Sequence, residues 1–199
     1  KSGSSCFDVA GNKAQYVFSF LDGFNNIYHA WSKNERGNVY LGVNSEELSS
    51  GRTALILLHE LGHSFAGLYD EYTVADTPSS FWFSWNTNHR NCSSMPYRDF
   101  RSSLDNRIYG AVFSDQKVGF KGCTYLKSKF LGTDYYRPSE ENIMKDTYNY
   151  RWFDVISCGY IIAAIKGEPA NKAHAERYWP ECLNLLDTVK DGIPPVASV

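Results

Sequence analysis

The spacing of apolar and polar positions changes several times along the chain, and each change marks an element. Gln15 to Leu21 (QYVFSFL) and Asn38 to Val43 (NVYLGV) are aromatic and β-branched runs bounded by Gly and Asn, which predicts two strands. A long helix is predicted from about Ser50 to Ala66. Its apolar run Ala54-Leu55-Ile56-Leu57-Leu58 reads as buried turns, Ser49 or Ser50 is available as N-cap, and Gly67 stands where a C-terminal stop is wanted. Residues 72 to 140 are punctuated by Thr77-Pro78, Met95-Pro96 and Arg137-Pro138, with short aromatic runs such as Phe81 to Trp85, and read as loop-rich. Phe153 to Lys166 is a second helical stretch, stopped by Gly167 and Pro169, and shorter helices are expected over Ala173 to Arg177 and Glu181 to Val189. The tail from Asp191 to Val199 (DGIPPVASV) has the Pro-rich composition of a linker or the start of a following domain. This order of elements is that of an α/β (α+β) chain.

Within the long predicted helix lie His59, Glu60 and His63, in the pattern HExxH. Residues four apart sit one turn above each other, so both imidazoles leave one face and can take two corners of a tetrahedral zinc site. Glu60 is then placed to reach water at the metal rather than the metal itself. With 5 His in 199 residues, chance alone would produce such a pattern in roughly one chain of this length in 150. A helical context with Gly67 as its stop makes coincidence rarer still.

Composition narrows the class. The chain has 199 residues, enough for one domain with a sizeable core. A formal charge of −2 with no long basic run gives no support for nucleic-acid binding, and no run of 18 apolar residues is present to span a membrane. The opening Lys1-Ser-Gly-Ser-Ser lacks the apolar core of a signal peptide, which fits a removed signal or an excised segment. None of Cys6, Cys92, Cys123, Cys158 and Cys182 forms a CxxC pair. Their scatter resembles a disulfide set from an oxidising compartment, with Cys92–Cys123 and Cys158–Cys182 as the expected pairs and Cys6 left over; five reduced thiols are the alternative. Asn91-Cys92-Ser93 fits a glycosylation sequon that a disulfide would silence. His29, His89 and His174 read as surface or packing histidines, and Ser64 has no nearby base pattern to make it a nucleophile.

A zinc hydrolase needs three protein ligands and one open position. After Gly67 the chain can turn back towards the metal, which makes Asp70, three residues on, a natural third ligand. Here the sequence resembles the metzincin group of zinc peptidases, and the variant HExxHxxxGLxDEY looks most like the bacterial IgA-peptidase family of secreted metallopeptidases. It is also close to the GLPD-type boxes of snapalysin-like and immune-inhibitor-like peptidases. Three residues, Ser64-Phe65-Ala66, separate His63 from Gly67 where most metzincins have two. Alignment on Gly-Leu-x-Asp therefore selects Asp70, whereas strict counting from His59 selects Tyr69. A carboxylate is the better ligand for zinc than a neutral phenol, so Asp70 is preferred, with Glu71 in reserve.

The resemblance, which covers about residues 38 to 165, implies further features. Glu141-Asn142-Ile143-Met144 resembles the methionine turn that metzincins carry beneath the metal. Some relatives place a tyrosine two residues beyond that methionine, where this chain has Asp146; Tyr148 and Tyr150 are then the candidates for that role. The implied fold is metzincin-like: a small mixed sheet packed on the active-site helix, above a loop-rich, helix-containing lower subdomain. The catalytic domain would span 1–190, its upper part about 1–67 and its lower part about 68–190. Only about 58 residues precede the box, which with the odd Cys6 points to a shortened amino-terminal region and to further domains in a longer chain.

The implied activity is that of a secreted or cell-surface zinc endopeptidase. One Zn²⁺ would be held by His59, His63 and Asp70, with Glu60 as general base. Residues 38 to 44 are expected to form the sheet edge to which an extended protein or peptide substrate adds as a strand. Immunoglobulin A hinges or mucin-like glycoproteins are the substrates the family name implies. The competing reading is a catalytically idle, zinc-bearing adhesion module using the Trp/Tyr-rich loops around Phe81 to Trp85; a structural zinc domain with four closed ligands is the third.

Overall fold

A computed structural model of the chain describes residues 17–22, 30–32, 38–43, 51–72, 90–93, 100, 119–123 and 135–192. Cys6, His29, Ser49, Ser50, the Thr77-Pro78 and Met95-Pro96 punctuation, the run Phe81 to Trp85, His89 and the tail beyond Gly192 lie outside the described residues.

Three strands form a mixed sheet in the order β1-β3-β2. β1 (Val17–Asp22) runs parallel to β3 (Asn38–Val43), in register from Val17 opposite Asn38 to Asp22 opposite Val43. β2 (Ala30–Ser32) pairs antiparallel with β3, Trp31 opposite Tyr40. The short β2 is too brief to show an alternation in sequence. The order also corrects an expectation: β3, which covers all but the last of residues 38 to 44, is the central strand. Its hydrogen bonds on both sides are used by β1 and β2, so it is no edge for a substrate.

The helix α1 (Arg52–Ala66) packs against β2 and β3. It starts without a serine cap. Gly51 precedes it at φ 73°, a left-handed conformation in which a side chain would be strained, and no side-chain hydrogen bond caps the first turn. Burial along α1 is the reverse of what its apolar run predicts. Ala54 and Leu58 are exposed and Leu55, Ile56 and Leu57 only half-buried, whereas Thr53, His59, Glu60, His63 and Ser64 are buried. The face turned into the protein is therefore the polar one.

The helix stops at Gly67, at φ 61°, where the Gly67 and Leu68 N–H groups donate to the His63 and Gly62 carbonyls at 3.0 Å each. A Cβ on Gly67 would fall 1.5 Å from Nη1 of Arg90. That guanidinium donates to the Ala66 carbonyl at the helix end and, through Nε at 3.1 Å, to the Ala170 carbonyl. Arg90 thus satisfies an orphan carbonyl of α1 and ties the helix stop to the loop after the next helix.

Two short strands, β4 (Phe120–Lys121) and β5 (Tyr136–Arg137), pair antiparallel, and Ser93 bridges to Tyr136. The Cys92–Cys123 disulfide, Cα atoms 5.6 Å apart, joins this layer to the 90–93 segment. α2 (Val155–Ile165) follows, capped by Asp154, whose Oδ1 accepts from the Ser157 N–H at 2.8 Å. α3 (Lys172–Glu176) is capped by Asn171, and α4 (Trp179–Gly192) begins two residues before the predicted start and runs through Asp191 and Gly192, where a linker is expected to begin. The second expected disulfide, Cys158–Cys182, staples α2 to α4. Leu68, Phe100, Met144, Ile156, Tyr160, Trp179 and Leu183 share the core between α1, α2 and α4.

α2 and α3 approach closely at Gly159. A Cβ there would lie 2.6 Å from the Ala175 carbonyl oxygen and 2.6 Å from Cδ1 of the fully buried Trp179. The first of these is main chain and cannot turn aside. Gly159→Ala should therefore destabilise the fold by about 1–3 kcal/mol despite alanine's better helix propensity. Urea unfolding of the two proteins measures this, and an unchanged or raised midpoint would contradict the packing described.

Candidate metal centre

α1 presents the two histidines one turn apart with their Nε2 atoms 3.1 Å from each other. The opposite ring nitrogens are both anchored. Nδ1 of His59 lies 3.0 Å from the Ile143 carbonyl and Nδ1 of His63 2.6 Å from the Leu68 carbonyl. A carbonyl only accepts, so each Nδ1 carries a proton, and either ring when neutral presents its lone pair at Nε2. A backbone carbonyl behind a ligating histidine is a recurrent way of fixing tautomer and ring orientation at metal sites.

Asp70 completes a triangle. Its Oδ1 stands 3.0 Å from His59 Nε2 and 3.1 Å from His63 Nε2. That oxygen is buried and has no partner at hydrogen-bond angles; among the described residues its close neighbours are the two ring nitrogens. Two lone pairs and a carboxylate facing one another this closely require a cation between them. Ligand atoms 2.0–2.2 Å from a tetrahedral zinc stand about 3.3 Å apart, so the triangle fits that ion with a few tenths of an ångström of expansion. The side chains keep part of their surface open, 20% for Asp70 and 9% for His59, which leaves a face for a fourth position.

Tyr69, selected by strict counting, points its main chain elsewhere: its N–H donates to Asn91 Oδ1 at 2.7 Å and its carbonyl accepts from Asn91 Nδ2 at 2.8 Å. Glu71, the reserve ligand, is fully buried away from the triangle and accepts from Asn91 and Asn142. Glu60 lies one residue along the helix, 4% exposed, with a carboxylate oxygen within 4.8 Å of the histidine nitrogens. Asp70 therefore faces both histidine nitrogens, and Glu60 has a carboxylate oxygen in the same neighbourhood.

Met144 sits beneath this arrangement. A Cβ on Gly62, between the two histidines, would lie 2.7 Å from the Met144 sulfur and 3.1 Å from the Phe153 ring. Glycine at that place lets the fully buried methionine approach the helix backbone. Asp146, in the place where some relatives carry tyrosine, spends its carboxylate on its own turn, accepting from the Tyr148 N–H at 2.7 Å and the Asn149 side chain at 2.6 Å. Of the tyrosine candidates, Tyr148 is 59% exposed with the Arg52 guanidinium 3.3 Å above its ring, and Tyr150 meets Trp152 edge-on at 5.8 Å. Tyr72, to which the sequence pattern assigns no role, stacks its ring on that of His59, centroids 6.4 Å apart.

The sequon at Asn91 is occupied in two ways: Cys92 is in the disulfide with Cys123, and Asn91 itself is fully buried with its amide bonded to Tyr69 and Glu71. His174 lies at the surface of α3, where its Nδ1–H donates to the Pro169 carbonyl at 2.9 Å.

Without a metal, a proton serves as the cation of the triangle. Burial disfavours charge on His63, but the charge of the Asp70 carboxylate 3.1 Å away outweighs it, with Glu60 and the Leu68 carbonyl adding, so the imidazolium is raised to about 9. Burial likewise works against the Asp70 anion, and the two imidazoles overcome it, holding the carboxyl well below the usual range.

Zinc binding at pH 7 should expel roughly one proton from His63, seen as a dependence of calorimetric heat on buffer ionisation enthalpy. In the metal-free protein the stabilisation from this charged contact is fully present below pH 6.5 and fades as pH rises through about 9, so its unfolding midpoint should fall across that window. Asp70→Ala should weaken zinc by at least the roughly 10–100-fold that loss of an outer-sphere partner costs, while Tyr69→Phe leaves it unchanged. The reverse pattern would move the third ligand to Tyr69. No model of a known protein family matches the chain and no curated protein matches it, so the chemistry of the centre is read from its own geometry.

Proposed function

We propose that the chain is a zinc-dependent endopeptidase of metzincin-like fold, secreted or displayed at the cell surface. The observation that carries this is the convergence of three lone-pair donors, His59, His63 and Asp70, on one point with the Glu60 carboxylate beside it. Met144 packed against Gly62 beneath the box, and α2 following that turn, agree with the same architecture. The two disulfides fit an oxidising compartment, and among the described residues no helix is long and apolar enough to cross a membrane.

Zinc, when bound, supplies a Lewis acid that makes water nucleophilic near neutral pH and polarises a scissile carbonyl. The chain supplies the rest. His59 and His63 hold their lone pairs inward because the Ile143 and Leu68 carbonyls retain the Nδ1 protons. Asp70 contributes one negative charge, so the centre stays net positive. Glu60 takes the proton of the attacking water and returns it to the leaving amine. For an extended substrate, the sheet edge beside α1 is β2, with β3 occupied on both sides; a peptide laid along Ala30–Ser32 would gain backbone hydrogen bonds with little reading of sequence. Hinge-like or mucin-like segments, free to straighten, are the substrate class that suits such pairing. The aromatic run favouring an idle adhesion module lies outside the described residues, and no structural observation speaks for that reading.

Glu60→Gln should retain zinc and fold but lose peptide hydrolysis by about 10²–10⁴-fold, the usual contribution of a general base. The assay is cleavage of an unfolded peptide library, with and without chelator. Zinc-loaded wild type that cleaves no more than Glu60→Gln would turn the reading to a zinc-bearing binding module.

A further inference from the structure

We propose that Glu71 is the positioning residue of the metal centre, a single carboxyl oxygen that clamps the loop carrying Asp70 to the turn that orients His59. The proposal rests on the zinc reading and deepens it.

Oε1 of Glu71 gathers three donors: Asn91 Nδ2 at 2.9 Å, Asn142 Nδ2 at 2.8 Å and Ser157 Oγ at 3.4 Å. Oε2 is buried and accepts no hydrogen bond among the described residues. The Glu71 N–H donates to the Met144 carbonyl at 2.9 Å. On the other side, Asn91 grips both main-chain polar groups of Tyr69. The residues flanking Asp70 are therefore fixed before and after it, which leaves its carboxylate little freedom to swing away from the histidines.

The same hub reaches His59. Asn142 accepts the Met144 N–H on its Oδ1 at 2.9 Å and spreads its Nδ2 between Glu71 at 2.8 Å and Asp154 Oδ2 at 2.6 Å. This shapes the turn whose next carbonyl, that of Ile143, accepts from His59 Nδ1. Loss of the Glu71 acceptor would loosen two ligands at once, one through its own loop and one through its orienting carbonyl. Asn142 Nδ2 lies where a second cation between Glu71 and Asp154 would have to lie, so the cluster is a clamp and not another metal site.

Every bond to the carboxyl is accepted by one oxygen, so a neutral amide oxygen can replace it. In the full chain, Glu71→Leu should weaken zinc by about 10–100-fold in chelator competition and alter the visible spectrum of the cobalt-substituted protein at saturating metal. Glu71→Gln, keeping one acceptor oxygen, should restore both to wild type. Asn91→Ala, outside the helical core, should weaken zinc in the same direction and decides the matter if Glu71→Leu does not fold. Leu183→Ala, which empties part of the core on α4 and makes none of the clamp's hydrogen bonds, should lower the urea midpoint while leaving zinc affinity and cobalt spectrum as they were.

Zinc held by Glu71→Leu and Asn91→Ala as tightly as by wild type would overturn the proposal. So would equal weakening by Leu183→Ala, which would make the effect one of general stability, or failure of Glu71→Gln to restore binding. Wild type that takes up no zinc at all would sink the metal reading and this proposal together; the other failures leave the metal reading intact.

Discussion

Three groups that would repel one another with no cation between them, two imidazole nitrogens and a carboxylate, are held within 3.1 Å, and much of the described structure answers that constraint. Helical periodicity brings His59 and His63 together at no extra cost. It does nothing for Asp70, which needs the chain to leave the helix abruptly and return. Gly67 in the left-handed conformation supplies the departure, and Arg90 on the Ala66 carbonyl holds it. The return is enforced by polar contacts from distant parts of the chain, with Asn91 gripping Tyr69 and the 142–144 turn gripping Glu71. The Cys92–Cys123 bond anchors the strand of chain from which Asn91 reaches in.

This explains why α1 buries its polar face. Ordinarily an amphipathic helix turns its apolar stripe inward. Here the inward stripe carries His59, Glu60, His63 and Ser64, and the desolvation of the two rings is offset by the Ile143 and Leu68 carbonyls behind them. Met144, Leu68 and Phe153 crowd Gly62 and supply the apolar packing that the helix's own leucines, half-exposed, do not.

The parts of this centre that a sequence can show are those governed by local rules. His59 and His63 follow from helical period, the helix stop from glycine, and Asp70 from the length of chain needed to turn back. Cys92 with Cys123 and Cys158 with Cys182 follow from modest loop lengths. What could not be read was long-range and polar. Nothing near Asn91 or Asn142 announces that their amides will be buried against a glutamate 20 and 71 residues away. A sequon and a loop were the local readings available. β2 is too short for periodicity to register, and the place of β3 at the centre of its sheet depends on strand pairing, which a single run of residues does not encode. Gly51 opening α1 was hidden for another reason, since a left-handed backbone cap leaves no side-chain signature beside two serines.

Asp70 and Glu71 are adjacent carboxyls that the protein drives in opposite directions. Asp70 faces two imidazoles, which hold its carboxyl down and keep it an anion. Glu71 is buried beside Asp154, and both burial and that neighbouring charge push it well above the usual range. Asp154 is itself raised by burial, although Ser157, Asn142 and Ser139 favour its charge. Asp70 is therefore turned towards the two imidazoles and its neighbour towards a buried cluster of amide and hydroxyl donors. Glu71 is taken out of reach as a reserve ligand by the same contacts that let it act as a clamp, since Asn91, Asn142 and Ser157 all donate to its Oε1. Opposite shifts on neighbouring acids commonly separate chemical roles within one site. In this chain the separation is set by which way successive side chains leave the segment after Gly67, so the spacing from His63 to Asp70 decides both which residue faces the two histidines and which one meets Asn91 and Asn142.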